Sequence, residues 1–152
     1  MNNLFKIFGP AYPTREQILE KEIKHKKETI KILKNWKKNV WKPVKKGGDN
    51  NLKFDALEIL VRSLSEIYQK PINIIYEPER PSCSYDQLTQ TLFINKSLSI
   101  ISTLHEFAHH LYGPNELQTC RWSVNLFRKI FPRAYNRLKW NRHMLVKDII
   151  AK

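Results

Sequence analysis

Gly113-Pro114 cuts a long helical pattern in two. Before it, Ile101, Leu104, Ala108 and Leu111 recur at helical spacing; after it, Leu117, Cys120, Val124, Phe127 and Phe131 do the same. Proline lacks an N–H and clashes with the preceding turn, and glycine takes the reversing backbone, so the first helix must stop here. Two helices with apolar backs, joined by so short a turn, are obliged to pack on each other. The rest of the chain has to cover what they leave exposed.

That cover is assembled from short pieces. Thr14 followed by Gln17 is a capping box behind Pro13, and Leu19, Ile23, Ile30, Leu33 and Val40 mark a narrow apolar stripe. They predict a first helix of about 25 residues, ending at the "KPVKKGGDNN" joint. A second helix is expected from Leu52 to Tyr68, with Phe54, Leu57, Val61, Leu64 and Tyr68 on one side. "INIIYE" and "TLFI" read as strands, "PERPSCSYDQ" between them as turns. Asn95 and Ser97 are the candidate caps of the helix that follows, and "RAYNRLKWNRHMLVKDIIAK" predicts one or two short terminal helices. The order helix, helix, strands, helix, helix, helix defines an α+β domain with a small sheet. A chain of 152 residues supports one real core.

Charge narrows the partners. Lys plus Arg number 27 against 14 Asp plus Glu, a surplus that favours anionic partners such as nucleic acid, phospholipid headgroups or acidic polypeptides. It is concentrated between Lys21 and Lys46, which hold eleven lysines and two glutamates. Trp36 and Trp41 lie among them in "KNWKKNVWK", where aromatics could stack on bases or settle at an interface. The plain alternative is a solvated helix face; a third is a cover over a cleft that opens at the "KKGG" joint. Two cysteines, Cys83 and Cys120, fit a reducing cytosol better than secretion. No secretory signal is expected at the N-terminus, and no run of eighteen apolar residues could span a membrane. The expected location is cytoplasmic.

The turn at Gly113 also gathers chemistry. His105, Glu106 and His109 form H-E-x-x-H, which on a helix sets two imidazoles on one face. Zinc takes such nitrogens at about 2.0–2.1 Å and, when catalytic, wants a third protein ligand and an open position. Glu116, in the first turn of the next helix, can supply it across the 8–10 Å between packed helix axes. Glu106 is placed for base chemistry, taking the proton as a zinc-bound water attacks a peptide carbonyl and giving it to the departing amine. His143 stands as the rival third ligand, in a three-histidine set.

"HEFAHH" followed by "NE" resembles the zincin metallopeptidases, and among them the gluzincins, whose third ligand is a glutamate on a separate helix. The small size and near-adjacent helices look most like the minigluzincins. The resemblance covers about residues 72 to 130 and is specific only from 105 to 116. It implies a compact zincin-like domain in which His105, His109 and Glu116 hold Zn(2+) and Glu106 is the catalytic base. It also implies that the strand around "TLFI" is the edge along which a peptide substrate lies. The SprT-like proteases, which act on DNA-bound proteins, are the competing resemblance and would make His143 the ligand. The expected division is 1–50, a basic N-terminal helical segment and linker, and 51–152, the zincin-like metallopeptidase domain. The enzyme could be latent as isolated. The partners are a peptide or protein substrate and, through the basic helix, nucleic acid as a candidate. The contrasting class is a nucleic-acid-associated module with only a structural metal.

Several residues invite overreading. His110 points about 100° away from the ligand face and reads as a surface residue. Tyr112, Tyr135 and His143 all qualify chemically as donors to an oxyanion, and spacing singles out none. Cys120 falls in the apolar stripe and reads as a small hydrophobe. Cys83 lies in a loop-like segment, expected to be exposed and within reach of an open zinc position.

Overall fold

A computed structural model describes residues 10–147. The predicted capping box is formed: Thr14 Oγ1 accepts from Gln17 N–H and Gln17 Oε1 from Thr14 N–H, starting α1 (Arg15–Leu19). The long first helix is interrupted, however. The chain leaves α1 after Leu19 and resumes only at α2 (Lys27–Trp36), which runs through a π turn (Lys37–Trp41) into α3 (Lys42–Lys45). The cause of the break is His25, which is buried and donates from Nε2 to the carbonyl of Trp122 at 2.9 Å, an anchor that a straight helix would carry away.

Asp49 caps α4 (Asn50–Tyr68) through Asn51 and Leu52 N–H groups, and Gln69 ends it in the left-handed region. The expected apolar face is the buried one, with Leu57, Leu60, Val61 and Leu64 fully inside. Strands β1 (Asn73–Tyr76), β2 (Ser84–Asp86) and β3 (Thr91–Ile94) follow. The sheet order is β1-β3-β2, with β1 parallel and β2 antiparallel to β3, so that Ile74 and Tyr85 both pair with Leu92. Two expectations are corrected here. "TLFI" is the central strand, not the edge, because its buried Thr91, Leu92 and Ile94 need partners on both sides. The edge strand β2 comes from "SYD", inside the segment expected to be all turn.

Helix α5 (Ile100–Tyr112) is capped by Ser99, whose hydroxyl accepts from Ser102 N–H, and not by Asn95 or Ser97. Asn95 is already used: its Oδ1 accepts from both the N–H and the hydroxyl of Ser97 within the turn. Gly113, at φ 69°, ends α5 where the sequence demands it, and Asn115 caps α6 (Glu116–Ile130) through Gln118 N–H. The two helices pack together as the short turn requires. The terminal region holds one short helix, α7 (Pro132–Arg137), and then a hairpin, β4 (Leu138–Asn141) and β5 (Met144–Lys147), in place of a second helix. The remainder of that prediction, residues 148–152, lies outside the described residues, as does 1–9 of the N-terminal reading.

One hydrophobic cluster runs through the molecule. Ile18 and Leu33 share it with α4, α5 and α6, and Trp36, stacked on Trp41 with 5.4 Å between ring centroids, donates its indole N–H to the Ala56 carbonyl at 2.7 Å. Among the described residues no helix is long and apolar enough to cross a membrane.

Candidate metal centre

Helices α5 and α6 meet at the three residues singled out by the H-E-x-x-H pattern and the following turn. His105 Nε2 lies 2.8 Å from Glu116 Oε1, and His109 Nε2 lies 3.0 Å from Glu116 Oε2. Their donor atoms fall within 4.8 Å of one another, and among the described residues they form the group that could hold a metal ion. Ligands about 2.0–2.1 Å from a tetrahedral zinc stand about 3.3 Å apart, so small outward shifts of these side chains would open the seat.

Hydrogen bonding fixes which nitrogen faces the seat. His109 Nδ1 is 2.8 Å from the Gly113 carbonyl, which can only accept, so Nδ1 carries the proton and Nε2 points a lone pair at Glu116. A lone pair against a carboxylate oxygen is repulsive unless a cation lies between them, whether a proton or a metal. The titration directions agree. Burial alone would raise Glu116, yet bonds from His105 and His109 outweigh it and hold the carboxyl far below the usual range. Burial opposes the charged form of His109, but Glu116 and the Gly113 carbonyl together raise it. The donor set therefore has the chemistry of a cation site.

Glu106 sits beside the triad, not in it. Its carboxyl is raised by burial, against the pull of His105, of His109 and, least, of the Tyr85 backbone on β2. Edge strand and candidate base are thus adjacent. Of the three proposed oxyanion donors, His143 is the one that reaches the triad: its Nε2 is 3.5 Å from Glu116 Oε1, carried there by the β4–β5 turn. Tyr135 instead lies under the Arg128 guanidinium on α6. Burial lowers the His143 pKa, which favours a neutral ring, and its Nδ1 is buried without a partner among the described residues. A cavity of ≈ 10 Å³ between His105, His143 and Leu145 has room for about one water.

Two residues were misplaced by the sequence. His110 is buried, not superficial: Nε2 donates to the Lys70 carbonyl at 3.1 Å and Nδ1 meets the Tyr85 hydroxyl, so a neutral ring ties α5 to β2. Cys83 is buried as well, with Sγ 3.6 Å from Asn95 Oδ1, and burial pushes its thiol up, away from the reactive thiolate. Cys120 is buried as expected, but it also lines the site, with Sγ 3.6 Å from Glu116 Oε1 and 3.8 Å from His105 Nδ1. Tyr85 had no signal to give, since three alternating residues between turns are too few to mark a strand. No protein-family model, curated protein or solved structure matches the chain.

Proposed function

We propose that the protein is a zinc-dependent peptidase in which His105, His109 and Glu116 hold the ion and Glu106 is the general base. The observation that carries this reading is the joint placement of a two-His, one-Glu donor set with a second, half-buried carboxylate, that of Glu106, next to it. A structural site needs no such extra carboxylate. A bound zinc would lower the pKa of a water it holds and polarise the scissile carbonyl.

The chain's own groups supply the rest. Glu106 accepts the proton of the attacking water, which its raised affinity for protons favours, and releases it to the departing amine. His109 is held in the metal-facing tautomer by Gly113. His143, from the hairpin, offers an N–H toward negative charge developing on the carbonyl oxygen. The edge strand β2, whose Tyr85 touches Glu106, is the track on which an extended peptide would pair. In this reading residues 51–152 form the hydrolytic unit of the gluzincin type, and 1–50 present the basic surface.

The test is metal analysis coupled to digestion of a broad peptide library. The parent should hold about one zinc per chain and cleave. Glu106→Gln should keep the metal and lose about 10²–10⁴-fold in rate. An E106Q form as active as the parent overturns the proposal. A second reading, an ion that only braces α5 against α6, is favoured by the narrow room beside His105. It predicts zinc that protects against unfolding while no peptide is cut by parent or variant.

A further inference from the structure

Helix α2, the π turn and α3 form one continuous helical rod from Lys27 to Lys45. Its inner side is committed to the core through Leu33 and Trp36, with Ile30, Val40, Trp41 and Val44 packed beside them. Its outer side carries Lys27, Lys31, Lys34, Lys38, Lys42 and, at the cap, Lys46, all exposed. Steps of three and four residues keep neighbours on one face. Successive steps of four from Lys34 to Lys46 would drift by about 40° each on an ideal α-helix. The wider π turn at Lys37–Trp41 takes up part of that drift and keeps the row straighter, a placement in keeping with π turns at working surfaces. None of the six ammonium groups has a hydrogen-bond or ion-pair partner among the described residues. The row is about 28 Å long at 1.5 Å per residue.

We infer that this lysine row is a binding surface for the phosphate backbone of a nucleic-acid duplex. A duplex presents one negative charge per about 1.7 Å of its axis, or roughly sixteen over the length of the row, so every lysine has a phosphate within reach. The face carries no bulky aromatic. Trp36 is 2% exposed, which removes it from the base-stacking or interfacial role that the sequence suggested, and Trp41 is half-buried, with one ring face stacked on Trp36 and its packing directed to the core. The same fact argues against a lipid surface. A helix that settles into a membrane needs a free apolar face, and the apolar face of this rod is occupied. What is left is charge on a rigid, straight support, which recognises backbone and not base sequence.

The surface is independent of the metal centre and is tested apart from it. The full chain is titrated by fluorescence anisotropy against two unrelated 20-base-pair DNA duplexes, one RNA duplex of matching length, and vesicles containing phosphatidylserine. The expected result is equal affinity for the two DNA sequences and a log–log salt slope of about −4.5 to −5.4, for five to six phosphates. K31Q/K38Q/K42Q should weaken binding at least about tenfold at 50 mM salt and reduce the slope by about 2.7. The control triple K96Q/R133Q/R137Q removes the same charge from exposed positions off the row and should change the slope by less than one unit. The DNA and RNA arms tell which duplex is preferred, and binding to either supports the surface. Equal losses in both triples would reduce the effect to net charge and overturn the row. Vesicle binding lost in the first triple, without duplex binding, would assign the row to a membrane and overturn it too.

Discussion

Glu116 is the side chain on which the centre depends, because each of its oxygens faces a different histidine. Glu116→Ala should reduce zinc to well below one per chain while the helices stay packed, since its side chain lies at the edge of the core. Zinc that binds only the folded state at a hundred times its Kd adds about 2.7 kcal/mol, or about 5–11 °C of Tm for a chain of this size. That increment should vanish in E116A, measured by calorimetry with and without zinc. His143→Ala should leave zinc content unchanged. Zinc that survives E116A and disappears in H143A would instead make His143 the third ligand. The triad was legible in the sequence because helix periodicity and the Gly113-Pro114 stop are local signals. The fates of Cys83 and His110 were not, because burial there is imposed by Asn95, Tyr85 and Lys70, up to forty positions away.

The connector between α1 and α2 shows how one buried contact overrides a periodic stripe. The Leu19–Ile23–Ile30 spacing is helical, but His25 is turned inward to Trp122, with ring centroids 5.6 Å apart. Its Nε2–H is required by the Trp122 carbonyl, and its Nδ1 is buried without a partner, so the ring fits only when neutral. Burial lowers its pKa, with the Lys129 charge adding to that and the Trp122 carbonyl opposing it. Below its ordinary value of about 6.5 the unfolded chain takes up a proton that the folded chain resists. The stability from His25 is therefore present above that pH and lost as pH falls through it toward the lower folded value. Denaturant midpoints from pH 7.5 to 5 should drop more in the parent than in His25→Gln, whose amide can still donate to Trp122. A parent and variant with parallel profiles would remove His25 as the cause. The hairpin was hidden for a related reason: its turn places Arg142 at φ 58°, a conformation the sequence usually announces with Gly or Asn. "INIIYE" and "TLFI", by contrast, are strands as expected, and only the third strand, β2, was illegible.

Across the molecule, the basic rod and the helices that carry His105, His109 and Glu116 are set on one core. Leu33 and Trp36 are buried against α4, His25 is bonded to α6, and Lys37 Nζ donates to the Ile130 carbonyl at 2.8 Å. The division expected near residue 50 is therefore crossed by packing. Deleting a single large core side chain costs about 2–5 kcal/mol, against a total of about 5–15 kcal/mol for a typical domain. Trp36→Ala alone should cost about 3–5 kcal/mol, read as a lower urea midpoint with an unchanged slope. A chain reduced to 51–152 loses Ile18, Leu33 and Trp36 from the shared core together, and with Trp36 the bond to the Ala56 carbonyl. It should show no cooperative thermal transition. Zinc would then have no preformed seat, because α6, which carries Glu116, is held in place partly by α1 and α2. If 51–152 instead unfolds cooperatively and holds one zinc per chain, the basic rod is a removable appendage and the shared core is not what positions the centre.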